Sequence, residues 1–419
     1  MRIGVNAVPL SIKMGGLRQY FHRLFRELLS TDFNNTYVFF YSSENESELE
    51  LLGNNRWREG AIKVHDQGEI LLHIMKVDVY FCPFAVLWPR PLPIPSVVQL
   101  ADIQEAYYPQ FFTEDVLRSR RLHYASSTRG ADAVITLSEY SKQTIAKHHL
   151  IDPDKIFVAH LAAGDSIDSL FNPSDLAHLY LPEKFIIYPA NHWHHKNHDM
   201  LLRALSYIKR EHGVEIPCIC TGFPMEDGYP LLERIVEFEL SEQVLHVGYV
   251  SDEELRVLYS RATLLCFPSL FEGFGMPILE AMSAGCPVVC SNVTSLPEIV
   301  DAAAVMFDPK DYRDMASALL KVWNDDNLRN ELRDKGKNRA RQFTVARMAT
   351  VHLEAFEHAV NVFLPESRNV YKQYVYSVLG DSVFQGVVSI NNRLKAMESS
   401  LSWRITKPLR WVGDKLRGM

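Results

Sequence analysis

Pro268-Ser-Leu-Phe-Glu-Gly-Phe-Gly-Met-Pro-Ile-Leu-Glu-Ala-Met-Ser-Ala-Gly-Cys-Pro-Val-Val289 is the stretch on which the reading of this chain turns. It reads as a strand end, a glycine-bearing turn, a short helix and the next strand. Leu264-Leu-Cys-Phe267, just before it, is a short apolar run of the buried-strand kind. Glu272, Gly273 and Gly275 follow where the backbone must turn tightly and leave room above itself. Pro277 suits a first helical turn, where its missing N–H would have no partner anyway. Ile278, Leu279, Ala281 and Met282 give a helical apolar face, which Gly285 and Pro287 end. Val288-Val-Cys290 resumes a strand.

A helix opened this way presents unbonded backbone N–H groups and the positive end of its dipole, which favour an anion such as phosphate. Glu272 stands before the turn, and Glu280 lies eight positions on, one turn inside the helix. Carboxylates beside a phosphate site cannot hold the phosphate itself. They can accept hydrogen bonds from the hydroxyls of what is attached to it. The implied ligand has phosphates in the middle and sugars on both sides.

Outward from this stretch, strands and helices alternate. Arg2 to Leu10 reads as a first strand, Gly15-Gly16 as a loop, and Tyr20, Leu24, Phe25, Leu28 and Leu29 as a helix face. Strand runs follow at 37–41, 78–82, 96–100, 131–137 and 155–160. Residues 83 to 95 hold five prolines and read as a rigid exposed loop. Gly164-Asp, Asn172-Pro and Leu181-Pro mark a hinge. A second run begins at Lys184-Phe-Ile-Ile-Tyr188, continues at 216–222 and 244–250, and reaches the opening stretch. Ser251-Asp-Glu-Glu254 is a helix start, and a long helix runs from about 344 to Phe363. The alternation predicts an α/β protein with parallel sheets covered on both faces.

The chain has 419 residues with 47% hydrophobic and 23% charged, enough for two or three domains of a globular protein. Its formal net charge of −7 argues against nucleic acid as a partner. No apolar run approaches the about 18 residues of a membrane span. The N-terminus reads as a strand, not a signal peptide. Six cysteines in apolar runs read as buried reduced thiols of a cytosolic protein. Cys218 and Cys220 share a strand without zinc-ligand spacing. Asn191-His-Trp-His-His-Lys-Asn-His198 invites a metal reading. Its histidines crowd one loop, however, and no partner Cys/His cluster appears elsewhere. Asp152-Pro-Asp154 matches a D-x-D pattern but falls in a helix-to-strand turn.

Glu272-Gly-Phe-Gly-Met-Pro-Ile-Leu-Glu280, continued by Ala281-Met-Ser-Ala-Gly-Cys-Pro-Val-Val289, resembles the Glu-x7-Glu signature of retaining nucleotide-sugar glycosyltransferases of the GT-B fold, in particular glycosyltransferase family 4. Ile103-Gln-Glu-Ala-Tyr-Tyr-Pro-Gln-Phe-Phe112 resembles a bacterial surface-polysaccharide subgroup of mannosyl and rhamnosyl type. The resemblance implies two Rossmann-like domains facing across a cleft: an acceptor-binding domain over 1–175 and a nucleotide-sugar-binding domain over 176–345. A crossover helix at 346–363 would return to the first domain, and a helical tail would occupy 364–419.

It also implies site roles. Lys196, where the family has a basic pair before Asn, is expected on the donor diphosphate, with His195 in the place often held by arginine as a weaker, pH-sensitive neighbour. Gly15 and Gly16 would pack near the diphosphate and sugar, unless they form only a tight turn. Gly222 would lie against the nucleotide and Val250 under the base. Gly273, Phe274, Gly275 and Met276 would offer amides to the diphosphate. Glu280 would take the ribose hydroxyls and Glu272 the donor sugar. Where the family has His-Asp at a strand end, this chain has Ala101-Asp102. Alanine cannot make the histidine's contact, and Asp102 is left as a hydroxyl ligand or a turn cap.

The function expected is transfer of a hexosyl group, with GDP-mannose the suggested donor, to a lipid-linked acceptor such as O-antigen or capsule, without a metal. A degenerate transferase serving as a donor-binding or assembly scaffold is the rival, supported by Ala101. An epimerase of the same fold lacks this turn. The end of the chain, Ser402-Trp-Arg-Ile-Thr-Lys-Pro-Leu-Arg-Trp-Val-Gly-Asp-Lys-Leu-Arg-Gly-Met419, is basic, amphipathic and Trp-bearing. It suggests a peripheral seat on the inner face of the cytoplasmic membrane, or packing against another subunit or polysaccharide-assembly protein.

Overall fold

The computed structural model describes residues 1–90, 92–163, 181–225 and 228–364. The 164–180 part of the expected hinge and the tail from 365 lie outside these residues, and with them the membrane-surface reading. Among the described residues no helix is long and apolar enough to cross a membrane.

Two all-parallel sheets carry the fold. The first holds β1 (Arg2–Asn6), β2 (Thr36–Tyr41), β3 (Ile62–Lys63), β4 (Val79–Cys82), β5 (Ser96–Gln99), β6 (Ala133–Thr136) and β7 (Ile156–Val158), in the order β3-β2-β1-β4-β5-β6-β7. The second holds β8 (Ile186–Pro189), β9 (Cys218–Thr221), β10 (Val244–His246), β11 (Leu264–Phe267), β12 (Val288–Ser291) and β13 (Ala304–Phe307), in the order β10-β9-β8-β11-β12-β13. Both orders start outward from one central strand and then reverse. Each sheet therefore has a switch point, where an open α/β sheet leaves a crevice at its strand ends.

Strand period sorts the first sheet's side chains onto two faces. Val5, Phe39 and Phe81 face one core with Phe21 and Phe25 of the helix Gly16–Thr31. Val38, Phe40, Tyr80 and Val98 face another. That second core corrects the expectation for residues 83–95. Phe84, Leu87, Leu92 and Ile94 of this loop are buried, and it packs as a lid on the sheet rather than standing out in solvent. Its prolines alternate with large apolar side chains, so the same spacing that stiffens it also gives it an inner face.

The last described helix, Val345–Val362, leaves the second half and packs on the first sheet. Phe356 meets Phe81 edge-on at 5.3 Å, and the Tyr20 hydroxyl lies 2.5 Å from His352 Nε2. The six cysteines are free and buried. Cys218 and Cys220, two apart on β9, share a face, with their sulfurs 3.9 Å from each other.

Candidate active site

The turn after β11 is packed so tightly that its sequence has little freedom. Gly275, at φ +105°, precedes the helix Met276–Ser283. A Cβ there would stand 2.8 Å from Leu296 Cδ2. Ser295 Oγ donates to the carbonyls of Glu272 (2.9 Å) and Phe274 (3.1 Å), and Thr294 Oγ1 accepts from the Glu272 amide (3.2 Å). Phe274 buries its ring against His160 and Phe343, so only its backbone faces the turn. The first amides of the helix have no intrahelical acceptor.

Gly273 has a different constraint. A Cβ would fall 2.5 Å from Asp102 Oδ2 and 3.2 Å from the Ala101 carbonyl. The two halves of the chain meet here, backbone against carboxylate. Ser138 Oγ, in the first half, donates to the Gly273 carbonyl at 2.8 Å. Burial pushes the Asp102 carboxyl up to about 6; the Gln104 amide that it caps (3.0 Å) acts against this, and the negative charges of Glu105 and Glu272 add to it. Asp102 is thus both turn cap and cleft group.

Lys196 reaches the same point from the other side. Its Nζ lies 2.6 Å from Glu272 Oε1 and 5.5 Å from the centre of the Phe267 ring. The loop carrying it is fixed by Asn197, a left-handed residue (φ +63°, ψ +39°) whose side chain donates to the Pro268 and Pro309 carbonyls at 2.9 and 2.8 Å. The His195 carbonyl accepts from the Leu270 amide at 2.8 Å. The expectation of a partly cationic His195 is corrected. Burial, with the neighbouring Lys196 charge, pushes its imidazole down to about 2. It is a neutral group at any physiological pH.

Two further histidines of this loop are neutral as well. His192 and His198 are pushed down to about 4 and about 3 by burial, and His192 Nε2 lies 3.2 Å from His246 Nε2. Among the described residues no group of three or more His, Cys, Asp or Glu side chains is arranged to hold a metal ion.

Glu280 stands elsewhere along the same cleft. Its Oε1 is 3.7 Å from Arg23 Nη2, and Tyr259 donates its hydroxyl to Oε2 at 3.5 Å. Burial pushes this carboxyl up to about 7, against the opposing pull of the Arg23 charge. It lines a cavity of about 810 Å³ shared by the two halves, together with Arg18, Arg23, Asp252, Leu255 and Arg256. A small adjoining pocket is bounded by Gly16, Arg23 and Met276. Gly15 (φ +53°) precedes the helix Gly16–Thr31, and nothing stands within 4 Å of where a Cβ would lie on either glycine.

Of the expected residues, Lys196, Glu272, Gly273 and Asp102 come together at one point. Gly16 and Met276 bound the small pocket that adjoins the cavity lined by Glu280. Gly222 is not brought to the cavity lining. Its amide donates to the Gly248 carbonyl, and a Cβ would lie 2.4 Å from the Ala190 carbonyl, so the glycine lets two loops cross. Val250 is buried and leads into a capping box formed by Ser251 and Glu254; Asp252 and Leu255 of that helix reach the cavity instead.

Sequence reasoning missed Arg23 and Arg120, and it set Glu298 on the cleft rim without its partners. Arg120 Nη1 pairs with Glu105 Oε2 at 3.3 Å beside Asp102. Glu298 accepts from the Glu139 and Tyr140 amides (3.0 and 3.3 Å) and from His160 Nε2 (2.6 Å), capping a helix of the first half from the second. Burial alone would raise its carboxyl, but the His160 and amide hydrogen bonds hold it below its ordinary range. Ser295-Leu-Pro-Glu298 reads as a cleft-rim loop, but no local pattern reports a partner 138 residues away.

Two parallel-sheet halves, a helix returning from the second to the first and paired carboxylates at the interface define a glycosyltransferase of the GT-B fold. Comparison with known proteins carries this further. Residues 177–339 match the family described as glycosyl transferases group 1. The chain is 30% identical over 268 residues to O-antigen chain mannosyltransferase B of Escherichia coli, covering 62% of this chain and 70% of that one. It is 29% identical over 227 residues to O-antigen chain mannosyltransferase RfbU of Salmonella typhimurium, covering 54% of this chain and 60% of that protein's length. Anabaena HepE, solved in complex with UDP and glucose, superposes with a TM-score of 0.67 at 17% identity over 85% of this chain and 99% of that one. This chain belongs to the glycosyl transferases group 1 family and is a hexosyltransferase.

Proposed function

We propose that the protein transfers a mannosyl group from GDP-mannose, with retention at the anomeric carbon, to a lipid-linked polysaccharide of the O-antigen or capsule kind. On this reading it is a family 4 enzyme of the surface-polysaccharide subgroup. The observation that carries the proposal is the division of the cleft. Lys196 and Glu272 meet Asp102 at one point, while Glu280 opens onto a cavity large enough for a nucleoside. The mannosyltransferase names of its relatives supply the sugar and the acceptor class.

The donor diphosphate lies at the amino end of helix Met276–Ser283, between Lys196 and the amides of Gly273 to Met276. As the C1–oxygen bond to the diphosphate breaks, these donors stabilise the charge gathering on the leaving oxygen. The acceptor hydroxyl oxygen bonds to C1 on the same face, and its proton passes to the leaving phosphate oxygen. Glu272 holds a sugar hydroxyl, and Glu280 the ribose. In this scheme Lys196 and the amides carry the charge that a divalent cation would otherwise carry. Asp102, with a proton until about pH 6, can hold or release a sugar hydroxyl where the family histidine is replaced by Ala101.

A thermal-shift panel of nucleoside diphosphates and nucleotide sugars tests the reading. GDP and GDP-mannose should raise the melting temperature by mass action, and transfer should survive a metal chelator. No shift with any member rejects it. The scaffold reading, favoured by Ala101, predicts the same shift with no transfer. The tail reading places the protein on the inner face of the cytoplasmic membrane. A chain ending at Met397 that still binds anionic vesicles like the full chain rejects that part.

A further inference from the structure

We infer that an aromatic shelf beside Asp102 binds sugar rings of the acceptor glycan, a reading that rests on the transferase assignment above. The shelf is built from both halves of the chain. Tyr107, Tyr108, Phe111 and Tyr140 come from the first, and Phe271 and His194 from the second. The Tyr108 and Phe111 rings are parallel (4°) at 5.3 Å, and Phe111 stacks on His194 at 5.9 Å. Phe271, buried, sits under the group with its centroid 5.6 Å from Tyr107, 6.2 Å from Tyr108 and 6.0 Å from Tyr140.

Position and chemistry name the occupant. Phe271 immediately precedes Glu272, and Tyr107 and Tyr108 follow Asp102 by five and six residues. The shelf thus runs straight on from the point where the two carboxyls meet. Tyr107 keeps 39% of its surface exposed, a large ring held at a rim and not in a core. Arg120 is engaged by Glu105 and lies over the Phe112 ring at 4.5 Å, and the His148 ring meets Tyr107 edge-on at 5.2 Å.

What is offered is ring faces fringed by hydroxyls, with a carboxyl at the inner end. Burial raises the Tyr140 hydroxyl to about 12, and the neighbouring Tyr107 side chain adds to this, so Tyr140 keeps its proton as a donor. A hexose matches such a surface. One face of its ring is apolar C–H and packs on an aromatic plane, while its rim needs donors and acceptors. Because the shelf is made from both halves, a glycan lying on it also bridges them next to the donor.

The test uses the full chain, and its binding arm needs no donor. Binding of α-linked mannotriose is measured by saturation-transfer NMR for the wild type, Tyr107→Ala and Tyr140→Phe, beside the melting-temperature shift given by GDP. Tyr107→Ala should weaken trisaccharide binding at least fivefold, and Tyr140→Phe about twofold. Both should keep the wild-type GDP shift and the wild-type melting temperature. In transfer assays Tyr107→Ala should raise the acceptor KM and leave kcat within twofold. No trisaccharide binding by the wild type, or undiminished binding by Tyr107→Ala, overturns the shelf whatever GDP does. A missing GDP shift with a shelf-dependent trisaccharide signal sinks the donor reading and leaves the shelf standing.

Discussion

The two glutamates of one motif, eight residues apart, live in opposite surroundings. Glu272 is held at 2.6 Å by Lys196, from a loop that Asn197 clamps in place. Glu280 has an arginine only at 3.7 Å and a hydroxyl at 3.5 Å, and burial raises it to about 7. The first end of the cleft is assembled before any ligand arrives. The second is an unfinished site, a carboxyl costly to ionise beside a large cavity. On the proposed assignment, catalytic geometry is built in where bonds change, and affinity is left to the ligand where the molecule is only gripped.

The largest effect should follow from breaking the assembled end. Lys196→Ala removes the cation and leaves Glu272 partly buried without its partner, so kcat/KM for transfer should fall on the order of 10²–10³-fold, as for loss of a donor to developing charge. Wild-type turnover in Lys196→Ala would refute the contrast. Gly273→Ala should come next. Its methyl meets Asp102 Oδ2 at 2.5 Å, which forces the halves apart, so transfer should drop tenfold or more. Gly16→Ala, with nothing near its Cβ, should change the fold little and transfer only through ligand contact.

Glu280→Gln sharpens the comparison at its other end. Donor KM should rise about tenfold with kcat nearly kept, measured from initial rates. Stability should respond too, with a definite sign. Folded Glu280 holds its proton to about pH 7, whereas the unfolded chain loses it near the ordinary 4.5. Between these values the folded state binds more protons, so this group's contribution falls as pH rises. At about 1.4 kcal/mol per pKa unit its full size is at most about 3–4 kcal/mol. Comparing Glu280→Gln with wild type, the variant should gain melting temperature at pH 8 relative to pH 5.

Buried neutral histidines act the other way in the whole chain. His149, His192, His195, His198 and His352 are all pushed to about 4 or below by burial. Unfolding frees them to bind protons below about pH 6.5, so overall stability should fall steeply from pH 6.5 to 4, followed by circular dichroism. The smallest effect is expected for Arg23→Gln, a few-fold in donor KM, since its charge only partly offsets the burial of Glu280.

Much of this was legible in the chain. The strand–turn–helix from Leu264 to Ser283 was readable because glycine, proline and apolar period agree locally. The helix start at Ser251-Asp-Glu-Glu254 was readable for the same reason. The alternation of strands and helices indicated two parallel sheets. The loop at 83–95 misled, since proline marks stiffness and not exposure, and its buried face is set by what it lands on. The neutrality of His195 was hidden because sequence shows neighbours along the chain, not burial. Arg23 with Glu280 and Glu298 with His160 were invisible, as each joins residues far apart through an interface that exists only once both sheets have formed.

The helix Val345–Val362 has a consequence for how the molecule is made. Strands formed by the first 158 residues bury Phe81 against Phe356 and pair Tyr20 with His352. On a ribosome that half must wait, with an apolar face uncovered, until nearly two hundred further residues have emerged. The second half, whose described strands lie between Ile186 and Phe307, can close on itself before then. Synthesis order and completion order are therefore reversed, and the nascent first half is where a chaperone has most to protect.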